Sequence, residues 1–354
     1  MSRSRRERAA ALLNTPVLRA TIERLGRWRG VLVLNYHRIG SSTGQPWDRT
    51  LWSASAEELD GQLHTLARHA EVIEPDQLSK TMNGKPGRRV LITFDDGYRD
   101  NYEIAFPLLR EHGLRATFFL TTGFLDEPRA AWWDEIAWMA CNAEDKPSGG
   151  QAMADDEVMP AGEAMPYGGE LLPAGLSLTG GDRSASIAAL VARYKTLGDG
   201  EGEHFLEALA QKSGCGRCRT SDARALWMTW AMAREMQSAG MSIGGHTVTH
   251  PVLARLSPER QRDEIAACAR RLHEELKVTM RWFAYPVGGH DTFTAVTQAI
   301  LRDCGVELAF SFYGDYAKPS RWEPLDVPRI HVGPGFTPTL LRATVLLPRV
   351  FARL

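Results

Sequence analysis

Val90-Leu91-Ile92-Thr93-Phe94-Asp95-Asp96-Gly97 is an unbroken apolar run that stops at two carboxylates and a glycine. A strand buried on both faces has this composition, and the glycine marks the turn that ends it. Neighbouring side chains on extended backbone point to opposite faces, so Asp95 and Asp96 leave the strand in different directions. One can grip a metal while the other stays free. Similar runs recur at residues 31–36, 116–121, 241–245, 282–285, 308–313 and 327–332. Helix-like segments lie between them: residues 101–112 stop at Gly113, and Ser257-Pro258-Glu259 offers an N-cap followed by an N1 proline. The pattern predicts an α/β fold, a distorted (β/α) barrel of seven strands. Such barrels carry function at the carboxyl ends of their strands, where Asp95, Asp96, His246 and Pro286 fall.

A second string, His246-Thr247-Val248-Thr249-His250, supplies two imidazoles at i and i+4. Along an extended strand they would stand roughly 13 Å apart, too far for metal bonds of about 2 Å. A helical turn is therefore expected here to bring them together. One Asp with two His makes a three-ligand catalytic metal set that leaves a position for water.

Of the 354 residues, 24% are charged and 44% hydrophobic, an ordinary globular balance that argues against disorder. A formal net charge of −1 argues against a nucleic-acid binder, which needs clustered basic charge. The charge is uneven, however: eight Arg and two Glu precede Val31, and four Arg with no acid follow Asp326. The five cysteines, an odd number scattered along the chain, do not form a disulfide framework, and Cys215-Gly-Arg-Cys218 lacks the second pair that a zinc knuckle requires.

Three regions follow: a basic helical segment at 1–30, the barrel at 31–335 interrupted by a helical and irregular insertion at about 128–235, and a basic, aliphatic helix at 336–354. Within the insertion, residues 142–183 are rich in Gly, Pro, Ala and Met with little periodicity. Both terminal segments mix Arg with aliphatics, which fits capping helices and also peripheral contact with an anionic membrane face. With the first apolar stretch too short for a signal or a span, the expected location is the cytoplasm, with peripheral contact at the inner face of the membrane kept as an alternative.

The two strings, followed by Phe283-Ala284-Tyr285-Pro286-Val287-Gly288, resemble the motifs of the polysaccharide deacetylase family, carbohydrate esterase family four. The likeness covers roughly residues 31–125 and 235–332. It implies hydrolysis of an N-acetyl group from an amino sugar, with Asp96, His246 and His250 binding one divalent metal, zinc first and cobalt, nickel or iron accepted. It makes Asp95 the general base, since a carboxylate on a metal is a poor proton acceptor. It also makes the backbone N–H of Val287 the oxyanion donor.

Family members also need an acid to protonate the departing amine. Leu34-Asn35-Tyr36-His37-Arg38-Ile39 resembles a subgroup acting on poly-N-acetylglucosamine, in which a first-strand His is the acid and the order of elements is effectively permuted. His37 is the expected acid and His331 its competitor. Many members carry Arg where this chain has Ala284, and that Arg contacts the base. Arg329 is the expected replacement, a fixed guanidinium that would hold Asp95 ionised. Tyr98, Tyr285 and Pro286 are expected to border the substrate, while Trp132 and Trp133 read as core before sugar platforms. The expected function is a metal-dependent de-N-acetylase acting on an N-acetylated glycan. Two alternatives are kept: a hydrolase of a non-sugar amide or cyclic imide, and a catalytically silent glycan-binding module.

Overall fold

The computed structural model describes Ala10 and residues 26–143, 171–173, 176–180 and 183–352; most of the expected basic segment at 1–30 and most of the stretch at 142–183 lie outside these residues. Seven strands form one parallel sheet: β1 (Leu32–Tyr36), β2 (Arg89–Phe94), β3 (Thr117–Leu120), β4 (Ser242–Gly245), β5 (Trp282–Ala284), β6 (Leu308–Phe310) and β7 (Ile330–His331). Their order is β7-β1-β2-β3-β4-β5-β6, with the short strand Glu71–Val72 added beside the start of β2.

The sheet curls until its edges meet. On one side Val327 donates its N–H to the Ala309 carbonyl and accepts from Ser311 N–H, both at 2.9 Å, which ties it to β6. On the other side Ile330 and His331 lie in register with Leu34 and Asn35 of β1. A segment of five residues, 327–331, therefore bridges the two edges. This is the distorted barrel that the sequence pattern implies.

Period-two alternation sorts the strand residues onto two faces. Leu32, Leu34 and Tyr36 of β1, with Val90, Ile92 and Phe94 of β2, pack in one large core with the surrounding helices. Val33, Leu91, Phe119, Ala284 and Phe310 form a second apolar cluster. Continuing that alternation toward the carboxyl ends gives Asn35 after Val33, then Thr93 and Asp95 after Leu91, all buried. The enclosed face thus turns from apolar to polar on approaching the mouth.

The helix Pro258–Leu276 starts as expected, with Ser257 capping the Arg260 N–H. The C-terminal helix Pro338–Leu346 buries Leu341 and Val345 in the large core, and the Trp28 indole donates to the Val345 carbonyl at 2.8 Å. That apolar face is used in packing. Among the described residues no helix is long and apolar enough to cross one.

A second compact unit comprises residues 44–48 and 130–219. In it Trp132 stacks on Tyr194 at 4.3 Å between ring centroids, and Trp132 and Trp133 are both buried. Glu135 receives the Arg217 guanidinium at 2.7 and 2.9 Å and the Cys218 N–H at 3.1 Å, so an ion pair organises the Cys-x-x-Cys loop. The unit ends at Arg219, short of the expected 235, because Trp230, Ala233 and Met236 of the next helix belong to the barrel core.

The paired glycines of β4 are a packing requirement. A Cβ on Gly244 would lie 2.6 Å from the Phe119 ring and 2.7 Å from the Trp282 carbonyl oxygen, a backbone atom that cannot yield cheaply. Gly244→Ala is therefore expected to destabilise the barrel by about 1–3 kcal/mol, measured as a drop of several degrees in the midpoint of thermal unfolding. An unchanged midpoint would contradict this account of β4.

Candidate functional site

Each strand that ends at the mouth delivers one or two polar groups. After β2, Asp95 and Asp96 diverge. Asp95 lies on the enclosed face, where Arg329 Nη1 and Nη2 donate to its two oxygens at 2.7 and 2.8 Å and Asn35 Nδ2 adds a third bond at 3.1 Å. Arg329 is fully buried, and its Nε donates to the Ser311 carbonyl at 3.1 Å. Burial raises the Asp95 carboxyl, but the guanidinium and His246 outweigh it and hold the group below the usual carboxylate range.

Asp96 points the other way. Its Oδ1 lies 3.5 Å from His246 Nε2 and 3.6 Å from His250 Nε2, and this buried oxygen has no hydrogen-bond partner. All three potential ligand atoms fall within 4.8 Å of one another, and they are the only such group of three or more among the described residues. The other ring nitrogen of His246, Nδ1, faces the Ala284 carbonyl at 2.8 Å, which directs the lone pair of Nε2 toward Asp96. Burial opposes a charged His246, yet Asp95 and Asp96 outweigh it and raise its pKa. The pocket favours positive charge, and an orphaned oxygen facing two imidazole nitrogens fits a divalent cation.

The expected helical turn across His246 to His250 does not form. Thr247 and His250 both adopt left-handed backbone, with φ of 67° and 58°. The loop is held from outside: Glu264 accepts the N–H groups of Val248 and Thr249 at 2.8 and 2.9 Å, and Thr247 Oγ1 accepts that of His250 at 2.9 Å. A helix would have turned those N–H groups along its own axis. Released from it, the loop brings the two rings to 4.6 Å between centroids.

Asp96 and Val287 share an unusual geometry. Gly97 N–H returns to the Asp95 carbonyl at 3.0 Å and Gly288 N–H to that of Pro286 at 2.6 Å, each closing a three-residue turn around a residue of positive φ, 75° at Asp96 and 62° at Val287. This is the rarer, strained form of γ-turn. Four of the six non-glycine residues with positive φ among those described sit at this one site. Strain of that kind persists only where surrounding contacts over-determine it. Among the described residues the Val287 N–H has no acceptor.

His37 follows β1 and lies one step beyond the Tyr36–Phe94 pair of the register, beside Asp95. Burial lowers its pKa, while Asp96 and Asp95 pull it up. His331 at the end of β7 is pushed down to about 4 by burial and by His37. The Phe312 ring lies between the two imidazoles, at 5.8 and 5.5 Å.

Tyr98 and Tyr285 do not border an open pocket, contrary to expectation. Tyr98 is fully buried, stacked on Trp227 at 4.6 Å with the Arg38 guanidinium over it. Tyr285 stacks on Phe293 at 3.8 Å and donates its hydroxyl to the Leu325 carbonyl. Each aromatic ring is needed to fill the core below the mouth. Pro286 is buried within the turn that presents Val287.

Two participants were missed. Asn35 had a signal, a polar residue at an inward position of an apolar strand. Glu264 had none, being one acid among several on a long helix.

The family model described as polysaccharide deacetylase matches residues 82–148 and 205–309. Over 90 residues the chain is 37% identical to YxkH of Bacillus subtilis (strain 168); the match spans 25% of this chain and 30% of that protein. The fold resembles that of the Streptococcus pyogenes deacetylase PplD in complex with acetate, with a TM-score of 0.57 and 18% identity over 89% of this chain and 98% of that one. It also resembles IcaB from Ammonifex degensii, with a TM-score of 0.55 and 21% identity over 90% and 98%. The family model thus reaches from the strand that bears Asp95 and Asp96 through the histidine pair to β6, and over these residues the chain carries a polysaccharide deacetylase domain.

Proposed function

We propose that this protein is a metal-dependent hydrolase that removes N-acetyl groups from an amino-sugar glycan, of the poly-N-acetylglucosamine kind. The observation that carries the reading is the unpartnered, buried Asp96 Oδ1 facing the Nε2 atoms of His246 and His250, next to a second carboxylate that no ligand set uses. A pure binder has no need of that second carboxylate.

Asp96, His246 and His250 would hold the metal, zinc being the natural first choice for one carboxylate and two imidazoles. When bound, the ion would supply Lewis acidity toward the attacking water and the amide carbonyl. The protein's own groups divide the remaining tasks. A carboxylate offers about four lone-pair sites, and Asp95 uses three of them on Arg329 and Asn35. The remaining site, on Oδ1, accepts the proton that water gives up. Clamping by Arg329 lowers the basicity of Asp95 but fixes its direction and keeps it ionised, the role that an arginine at position 284 would have played. Val287 directs its N–H at the oxygen that gains charge as the amide carbon becomes tetrahedral. His37 then protonates the nitrogen as the C–N bond breaks, releasing acetate and a free amine.

The test is acetate release from N-acetylglucosamine oligomers. Activity is expected to vanish with a chelator and return with zinc; no acetate from any amino-sugar substrate after metal is restored would overturn the reading. Asp95→Asn is expected to lower kcat by about 10²- to 10⁴-fold. His37→Ala should be much more damaging than His331→Ala, and the reverse order would move the acid to β7.

Arg329→Lys keeps the charge but loses the paired donors. A drop in kcat of about 10²-fold with bound metal unchanged is expected, since orientation of the base is what is lost. Full activity of that variant would make the guanidinium a structural ion pair.

A further inference from the structure

His37 is held by its backbone from both sides. Its N–H donates to Ser53 Oγ at 2.9 Å, and its carbonyl accepts from Asn101 Nδ2 at 2.6 Å. The next two residues are fixed by the neighbour of Asn101: Arg38 Nε donates to Asp100 Oδ2 and the Ile39 N–H to Asp100 Oδ1, both at 3.0 Å. The Arg38 guanidinium is sandwiched over Trp52 at 3.8 Å and Tyr98 at 4.6 Å.

Several costly features converge here. Asn101 is fully buried, and its Oδ1 has no partner, so the carboxamide serves as a donor. Arg38 Nη1 is likewise buried without a partner. Residues Asn101–Ala105 form a single wide π-turn at the head of the helix Phe106–Glu111. Such turns are rare and concentrate at functional sites. Asp100 and Asn101 follow Asp96 by only four and five residues, on the same connection out of β2. The connection that starts with the proposed base and metal ligand therefore ends by gripping the residue proposed as the acid.

We infer that Asn101 and Asp100 are positioning residues that fix His37 against Asp95 and Asp96, so that acid and base move as one body. The inference rests on the reading of His37 as the acid. A single connection sets both partners of the proton transfers. That accounts for a largely buried ion pair and an incompletely satisfied amide at this point.

The test separates acid catalysis from the rest of the reaction. An amide needs its nitrogen protonated to leave, whereas the aryl oxide of 4-nitrophenyl acetate departs without a proton. Asn101→Leu, nearly isosteric and without donors, is expected to lower kcat on N-acetylglucosamine oligomers by about 10- to 100-fold, with KM and bound metal unchanged and aryl acetate hydrolysis within twofold of wild type. In a His37→Ala background the same substitution should add no further loss. Ser53→Ala, a smaller change on the opposite side of His37, should give the same pattern with lesser amplitude, and it serves if Asn101→Leu does not fold. Equal losses on amide and ester, or a loss that adds fully to that of His37→Ala, would make these residues merely structural and overturn the inference. Full amide activity of His37→Ala is a separate result: it removes the acid reading and the clamp with it.

Discussion

The structure depends on one buried ion pair, Arg329 with Asp95. Removing either partner of such a pair typically costs about 3–5 kcal/mol, because the other charge is left uncompensated. The pair survives burial because nearly every polar atom is used: two guanidinium nitrogens on one carboxylate, the third on the Ser311 carbonyl, and Asn35 on the same carboxylate from β1. These partners come from β1, from beyond the end of β2, from beyond β6 and from just before β7. The pair therefore locks the seam at which the sheet closes, and it does so with the same carboxylate that the chemistry needs.

Around this fixed point the chain tolerates strain. Asp96 and Val287 sit at the centres of tight turns, while Thr247 and His250 occupy left-handed backbone in a loop held by Glu264. A β-branched residue at positive φ is disfavoured wherever it occurs. Here the turn after β5 is pinned by Gly288, whose missing side chain lets the Phe312 backbone come close, a Cβ at that position lying 2.7 Å from Phe312 Cβ. Rigid surroundings permit the irregular backbone, and the irregular backbone aims a carboxylate and an N–H at the same mouth.

Most of the barrel was legible because its strands are continuous apolar runs, and burial on both faces leaves that mark directly in the sequence. The diverging carboxylates followed from the alternation of side chains at a strand end. The path from His246 to His250 was not legible: spacing shows that two rings must meet but not by which backbone, and the acid that holds the loop lies on a distant helix. Tyr98 and Tyr285 illustrate the complementary difficulty, since an aromatic beside a motif can face the ligand or fill the space beneath it. Asn35 could have been found by extending the inward face of β1 by one more residue.

The position of β7 at the far end of the chain has a consequence for the order in which the site is assembled during synthesis. The three residues grouped for a metal are all present once residue 250 has been made, and strands β1 to β4 can pair by then. Arg329 arrives some eighty residues later, on the segment that joins β6 to β1. Until it docks, Asp95 lacks the guanidinium that grips both of its oxygens. A nascent chain can thus acquire its ligand set early, yet orient its base only when the last strand closes the ring.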